Sequence, residues 1–274
     1  MGGLLSFHRV LPIFYHNYLR YNRSGPGGGT VDTTDLKSVT ARCTGSSPVW
    51  GMGEEMAATL KYIQPDAEQF MIHVARVSSD NQDNPEYERL LTYCMKHGHW
   101  SVFEMVDVVM EIYTSRAVSA QILRHRSFHF QEFSQRYADP SKIEMDLPKM
   151  RKKGASNRQS SLPYIDPELQ FSMDNKALAS VLYSVRTYQD LVDSGVALES
   201  ARLILPMCVG TRLYMKGTVR DWMHYCRVRM TLHTQAEHRE IATDCWNVLK
   251  EVLPVTTGAF EKYHMTDDEV KGLE

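Results

Sequence analysis

"VDVVMEIYTSRAVSAQILRHR" (106–126) changes its repeat halfway along. Over 106–112 the residues are mostly β-branched or apolar, with Asp107 and Glu111 on alternate positions, which predicts a strand with one wetter face. Ser115 then suits a helix N-cap, and "SRAVSAQILRHR" (115–126) reads as a helix that ends in a cluster of cations.

The same reading extends in both directions. Upstream, "TLKYIQP" (59–65) suggests a short strand and "DAEQFMIHVARVSS" (66–79) a helix capped by Asp66. "NPEYERLLTYCMKHGH" (84–99) predicts a helix with Asn84 as N-cap, Pro85 at the first position and Gly98 just past its end. Downstream, 139–175 is rich in Pro, Lys and Ser without a period and reads as a long loop. Helices are expected at 176–194, 197–204, 220–231 and 235–252, with a strand at "RLYMKGTV" (212–219). Strands interrupted by helices, followed by a helical C-terminal half, predict a mixed α+β fold.

Composition narrows the function. A formal net charge of −2 excludes a general polyelectrolyte-binding cation, so the basic cluster after Leu123 is local and reads as an anion site. The 5 cysteines are scattered without a C-x-x-C pair, which favours a reducing compartment. No apolar run approaches the roughly 20 residues of a membrane span.

The first 55 residues are of another kind. Residues 1–31 lack acids but carry Arg9, Arg20 and Arg23, as an organelle transit peptide does. "GPGGGTVDTTDLKSVTARCTGSSPVWG" (25–51) has no period and reads as disordered. "GSSP" is also what GGTTCGAGTCCC encodes, a string resembling the T-arm of a transfer RNA gene. The expectation is therefore that Met56 is the natural start, with a targeting extension as the alternative. Residues 56–262 are read as the functional domain and 263–274 as a tail.

"RHRSFHFQEFSQR" (124–136) holds Arg124, Arg126 and Arg136 with Glu132 as the one carboxylate, between Phe128, Phe130, Phe133 and Tyr137. Arginine forks match phosphate and carboxylate oxygens, and half-buried cations without a counter-charge are costly, so a bound anion is expected. His125 and His129 stand four apart, but flanking arginines argue against a metal, and none is expected. Ser134 lacks a G-x-S-x-G elbow and reads as a positioning contact, not a nucleophile. Basic residues interleaved with aromatics could also clamp single-stranded nucleic acid, although no extended basic surface accompanies them. A second cluster, "RDWMHYCRVRMTLHTQAEHRE" (220–240), puts Arg220, His224 and Arg227 on one helix face, with Arg229 and His233 beyond. Two such clusters suggest a ligand set with several anionic groups. No G-x-G-x-x-G follows a strand, so a dinucleotide would bind outside a Rossmann fold.

These residues resemble the flavin-dependent thymidylate synthases. The hallmark R-H-R, seven residues and Ser is met by Arg124-His125-Arg126 and Ser134. "ARVS" (75–78), "HxxxFE" (His99, Phe103, Glu104), "ARLILP" (201–206), Arg220, His224, Arg229 and His233 extend the match over 56–262. The resemblance implies a largely antiparallel sheet flanked by helices with a non-Rossmann flavin site, in a cytoplasmic homotetramer with shared active sites. It implies FAD, NADPH and 5,10-methylenetetrahydrofolate acting on deoxyuridylate (dUMP) to give thymidylate (dTMP), with no nucleic-acid or membrane partner. A flavoprotein methylating uracil in RNA and a non-catalytic nucleic-acid-binding module are the competing expectations. By position it implies flavin contacts from Ser78, Ser101, Arg124, His125, Arg126, Glu132, Arg220, His224 and His233. Nucleotide contacts are expected from Gln121, Arg124, Ser134, Gln135, Arg136, Arg202 and Arg229. Arg229, Ser134 and His99 are expected nearest the chemistry. His129, Gln131 and Thr218 depart from the pattern of many members and leave flavin affinity open.

Overall fold

A computed structural model describes residues 57–140, 150–154, 161–162 and 166–265, which belong to one unit, Met56–Glu274. The readings made for residues 1–55, for much of the 139–175 loop and for the tail past 265 lie outside the described residues. Four strands pair in the order β1–β2–β6–β3, every pair antiparallel. They are β1 (Ala58–Ile63), β2 (Asp107–Ser115), β3 (His129–Glu132) and β6 (Gly210–Thr218). A separate small hairpin joins β4 (Lys152–Lys153) to β5 (Ser161–Leu162).

The period-2 pattern of β2 sorts its side chains as the sequence suggested. Val108, Met110 and Ile112 are fully buried, and the register sets Met110 opposite Met215 and Ile112 opposite Leu213. On the other face Glu111 faces Tyr214, whose hydroxyl donates to it at 2.8 Å, and Lys61 forms an ion pair with it. Lys61 and Arg212 nearby hold the Glu111 carboxyl below its ordinary range against the opposing effect of burial.

Helices cover the apolar face. They are α1 (Ala67–Ala75), α2 (Glu88–Lys96), α3 (Arg116–Ile122), α4 (Pro167–Asp193), α5 (Leu198–Ala201), α6 (Val219–Arg229), α7 (Ala236–Val252) and α8 (Pro254–His264). Trp222 of α6 is fully buried and its indole donates to the Val108 carbonyl at 3.1 Å, tying helix to sheet. The start of α6 is fixed by a capping box in which the Thr218 hydroxyl accepts from the Asp221 amide and the Asp221 carboxylate from the Thr218 amide. Thr218, one of the departures noted above, is thus engaged as a cap.

Several boundaries differ from expectation for local reasons. Asn84 does not cap α2; its side chain accepts from the Glu86 amide in a turn, and Arg76 takes the Asn84 and Glu86 carbonyls at 2.5 Å each. Those carbonyls are spent outside the helix, so α2 begins at Glu88. Asp66 stands at the cap position of α1 in the left-handed region (φ 52°), with no side-chain cap bond. Helix α4 begins at Pro167, inside the expected loop, because Asp166 accepts from the Glu168 and Leu169 amides. Helix α7 ends at Val252, before Pro254 as expected, but Pro254 then opens a further helix, α8, that was not expected, at the first-turn position where proline fits.

Gly217 marks a close approach. A Cβ there would meet the Phe128 ring at 2.5 and 2.6 Å. That ring is wedged against Trp222 and Tyr225 at centroid distances of 5.0 and 5.9 Å, so it has little room to yield. Gly217→Ala is expected to destabilise the protein by about 1–3 kcal/mol, as overpacking does. Urea denaturation of the two proteins measures this, and an unchanged midpoint would show that the ring moves freely.

Candidate active site

The two Arg/His clusters, nearly a hundred residues apart in sequence, meet where α3 ends against the C-terminus of α6. Ser115 caps α3 by accepting from the Val118 amide, as expected from the sequence. Successive turns then carry Arg124, His125 and Phe128 across to β3. Arg229, the last residue of α6, donates from Nε to His125 Nε2 at 2.9 Å. A guanidinium has no acceptor, so His125 Nε2 carries no proton and the neutral ring holds its hydrogen on Nδ1. Burial, reinforced by Arg229, His224 and Arg124, pushes the imidazole down to about 4. The ring is also braced edge-on against Tyr225, 5.0 Å away. His125 and His129 do not share a helix, since His129 opens β3, which removes the spacing argument for a metal.

His238 lies nearby on α7, fully buried, and is pushed down to about 3 by burial and by Arg229 and His125. Both folded values lie below the unfolded histidine value, so the unfolded chain takes up protons first as pH falls. Stability contributed by these neutral rings is complete above about pH 6.5 and is lost progressively towards pH 4. Thermal melts between pH 7 and 5 should show a falling Tm, and the fall should be shallower in His238→Phe.

Glu132 does not counterbalance Arg124 or Arg126. Its Oε1 accepts from Arg116 at 2.6 Å, Ser119 at 2.5 Å and Thr211 at 3.0 Å, binding α3, β3 and β6 together. Among the described residues no carboxylate pairs with Arg124, Arg126 or Arg229. That leaves Arg229, with the exposed Arg124 near enough to act on the same neutral imidazole, as a donor set that fits an anionic ligand, while Arg126 follows two residues on, exposed rather than half-buried as expected. Gln135 is also 7% exposed, and its buried Nε2 donor has no partner among the described residues.

The other expected residues fall into separate neighbourhoods. Ser134 and Arg136 line a cleft of about 460 Å³ with Tyr137, Ala197, Leu198 and Glu199. Arg136 reaches Glu199 at 3.5 Å, both largely exposed, a contact of little energetic weight. Arg202, half-buried after α5, donates to the Glu199 carbonyl at 3.4 Å. Arg220 pairs with Glu104 and lies 5.9 Å over the Trp100 ring, next to Ser101 on the same 3₁₀ turn. His99 precedes that turn, exposed, with the Tyr93 and His97 rings 5.8 and 6.4 Å away. Ser78, His224 and His233 are exposed.

Sequence reasoning missed Arg116, Ser119 and Thr211, which hold Glu132, and the partners of His238. The ordinary look of Arg116 and Ser119 in a helical pattern gave no signal. "QAEH" (235–238) did, since Gln235, Glu237 and His238 crowd the start of a helix beside the second cluster.

A family model described as "Thymidylate synthase complementing protein" matches residues 59–255. The chain belongs to the flavin-dependent thymidylate synthase family. It is 46% identical over 195 residues to the "Flavin-dependent thymidylate synthase" of Synechocystis sp., covering 71% of this chain and 89% of that protein. It is 40% identical over 198 residues to the "Probable flavin-dependent thymidylate synthase" of Paramecium bursaria Chlorella virus 1, covering 71% and 91%. In fold it is similar to the UMP/dUMP methylase PolB of Streptomyces cacaoi, with a TM-score of 0.67, 22% identity, and coverage of 77% of this chain and 97% of that one. Among the described residues no helix is long and apolar enough to cross a membrane.

Proposed function

We propose that this enzyme reductively methylates dUMP to dTMP, taking the carbon from 5,10-methylenetetrahydrofolate and reducing equivalents from NADPH through FAD. The observation that carries the reading is the junction of Arg229 with neutral His125, flanked by guanidinium groups without carboxylate partners. Bound there, the flavin supplies the redox capacity and carries the one-carbon unit, while the protein orients and polarises.

Arg124, His125, Arg126, Arg220, His224 and His233, with Ser78, Ser101 and the β3 strand around Glu132, are the residues proposed to hold the flavin. Gln121, Arg124, Ser134, Gln135, Arg136, Arg202 and Arg229 are proposed for the nucleotide. C5 of uracil is a weak nucleophile, and it becomes a better one in an anionic, enolate-like form of the ring whose charge lies partly on the ring oxygens. A guanidinium held in place by His125 stabilises that charge without a covalent thiol, and Arg229 takes this role. The C5 proton is then lost. His99 stands at the approach of the folate. The separation of the Ser134–Arg136 cleft from the Arg220–Trp100 region within one chain is accommodated if sites are shared between subunits of a cytoplasmic homotetramer.

Ser134 is exposed on the cleft wall, and among the described residues no hydrogen bond joins its hydroxyl to a general base. Ser134→Ala is expected to keep turnover within about tenfold of the parent enzyme, the scale of one lost hydrogen bond. Steady-state assays with the FAD-loaded variant test this; an inactive variant that still binds FAD and dUMP would make Ser134 the nucleophile. For the function itself, anaerobic mixing with NADPH should bleach the flavin absorbance. A purified protein without flavin absorbance, even after incubation with FAD, would refute the proposal.

A further inference from the structure

A chain of side-chain hydrogen bonds runs from the surface at Arg151 to the buried ring of Tyr225. Arg151 holds Glu237 with two bonds, at 2.5 and 2.9 Å. Glu237 accepts from Gln235 Nε2 at 2.9 Å, and Gln235 Oε1 accepts from Gln121 Nε2 at 2.7 Å. Gln121 Oε1 lies 3.2 Å from His238 Nδ1, and His238 Nε2 lies 3.1 Å from the Tyr225 hydroxyl.

One end of this chain fixes the polarity of all of it. An ionised carboxylate only accepts, so Gln235 must offer its NH₂ to Glu237 and its carbonyl to Gln121. Gln121 must then offer NH₂ to Gln235 and carbonyl to His238. His238 must carry its proton on Nδ1, which leaves Nε2 to accept from Tyr225. Two further observations agree with this direction. The paired Arg151 holds the Glu237 carboxyl below its ordinary range although burial opposes it, and His238 is pushed down to about 3, hence neutral.

We infer that Glu237, Gln235 and His238 are positioning residues that lock the side-chain amide of Gln121 with its NH₂ as the donor, so that it recognises an acceptor oxygen of the nucleotide. One Nε2 hydrogen of Gln121 goes to Gln235, and the other has no partner among the described residues. A carbonyl or phosphate oxygen satisfies it; a donor group in the same place meets like polarity and is rejected. Without the lock, the amide can turn over, and the orientation that presents its carbonyl opposes the ligand oxygen. His238 is 0% exposed, so it reaches the ligand through the groups it bonds, Gln121 on one side and Tyr225 on the other. The inference rests on the reading that Gln121 lines the dUMP site.

Calorimetric titration of the FAD-loaded full chain with dUMP tests both levels separately. Gln121→Met should weaken dUMP binding about tenfold, and His238→Phe should weaken it similarly, the scale of one hydrogen bond to a charged or buried partner. Combined, the two changes should weaken it no more than Gln121→Met alone, because the ring then has no amide to orient. KM for dUMP should rise in His238→Phe with kcat nearly unchanged and flavin content intact. Should His238→Phe fail to fold, Glu237→Gln provides the same test, since a carboxamide there no longer dictates direction and dUMP binding should weaken. If Gln121→Met binds dUMP normally, Gln121 is not in the site and the underlying reading fails. If Gln121→Met weakens binding while His238→Phe or Glu237→Gln does not, or if the double variant shows additive losses, the positioning role is overturned.

Discussion

Arg229→Ala is expected to lower kcat/KM for dUMP roughly a hundred- to a thousandfold, the loss seen when one preorganised charge-stabilising donor is removed. The geometry makes the effect twofold in origin. The guanidinium proposed to meet charge on the uracil is lost, and His125 Nε2 loses its 2.9 Å donor. The imidazole, pushed down to about 4 by burial first and by Arg229 next, also loses that cation, so its value should rise in the variant. An NMR titration of His125 alongside the kinetics therefore distinguishes a disturbed site from a merely weakened ligand contact. Arg229→Lys should recover little, since an ammonium keeps the charge but not the planar fork that reaches both His125 and a ligand oxygen. Full activity in Arg229→Ala would remove Arg229 from the mechanism.

Glu132→Ala is expected to be the most damaging change to stability at the site, on the order of 3 kcal/mol. Its one oxygen gathers Arg116, Ser119 and Thr211, and Ser119 and Thr211 are 1% and 0% exposed. Removing the acceptor strands a half-buried guanidinium and two buried hydroxyls, which costs more than the net worth of the bonds themselves. For a unit of this size Tm should fall by about 6–12 °C. Calorimetry should show the fall in the absence of any ligand. A variant with unchanged Tm but lost flavin binding would instead make Glu132 a ligand contact alone.

The strands β1, β2 and β6 and the helices α6 and α7 were legible because they rest on periodicity that one sheet face and one core impose, whereas the first part of α4 and the whole of α8 were not. β2 alternates cleanly, and Val108, Met110 and Ile112 went where the pattern sent them. What failed was local chemistry with tertiary competitors. Asn84 looked like a helix cap, but the Arg76 guanidinium claims the neighbouring carbonyls. β3 was hidden inside "RHRSFHFQEFSQR" because only four residues pair, and pairing with β6 is set by residues far away in sequence. The site was legible as two cation clusters, whereas their junction through His125 and Arg229 was not, because the spacing of clusters does not encode contact. The fate of Glu132 was equally hidden: its nearest arginines in sequence are Arg136 and Arg126, yet its partner is Arg116, at the start of the preceding helix.

The most direct measurement is tritium release from [5-³H]dUMP by the purified, FAD-loaded protein. Release of tritium to water together with dTMP formation, dependent on both 5,10-methylenetetrahydrofolate and NADPH, is the predicted result. Release that does not depend on folate, or none from dUMP while uracil in RNA is methylated, would contradict the account.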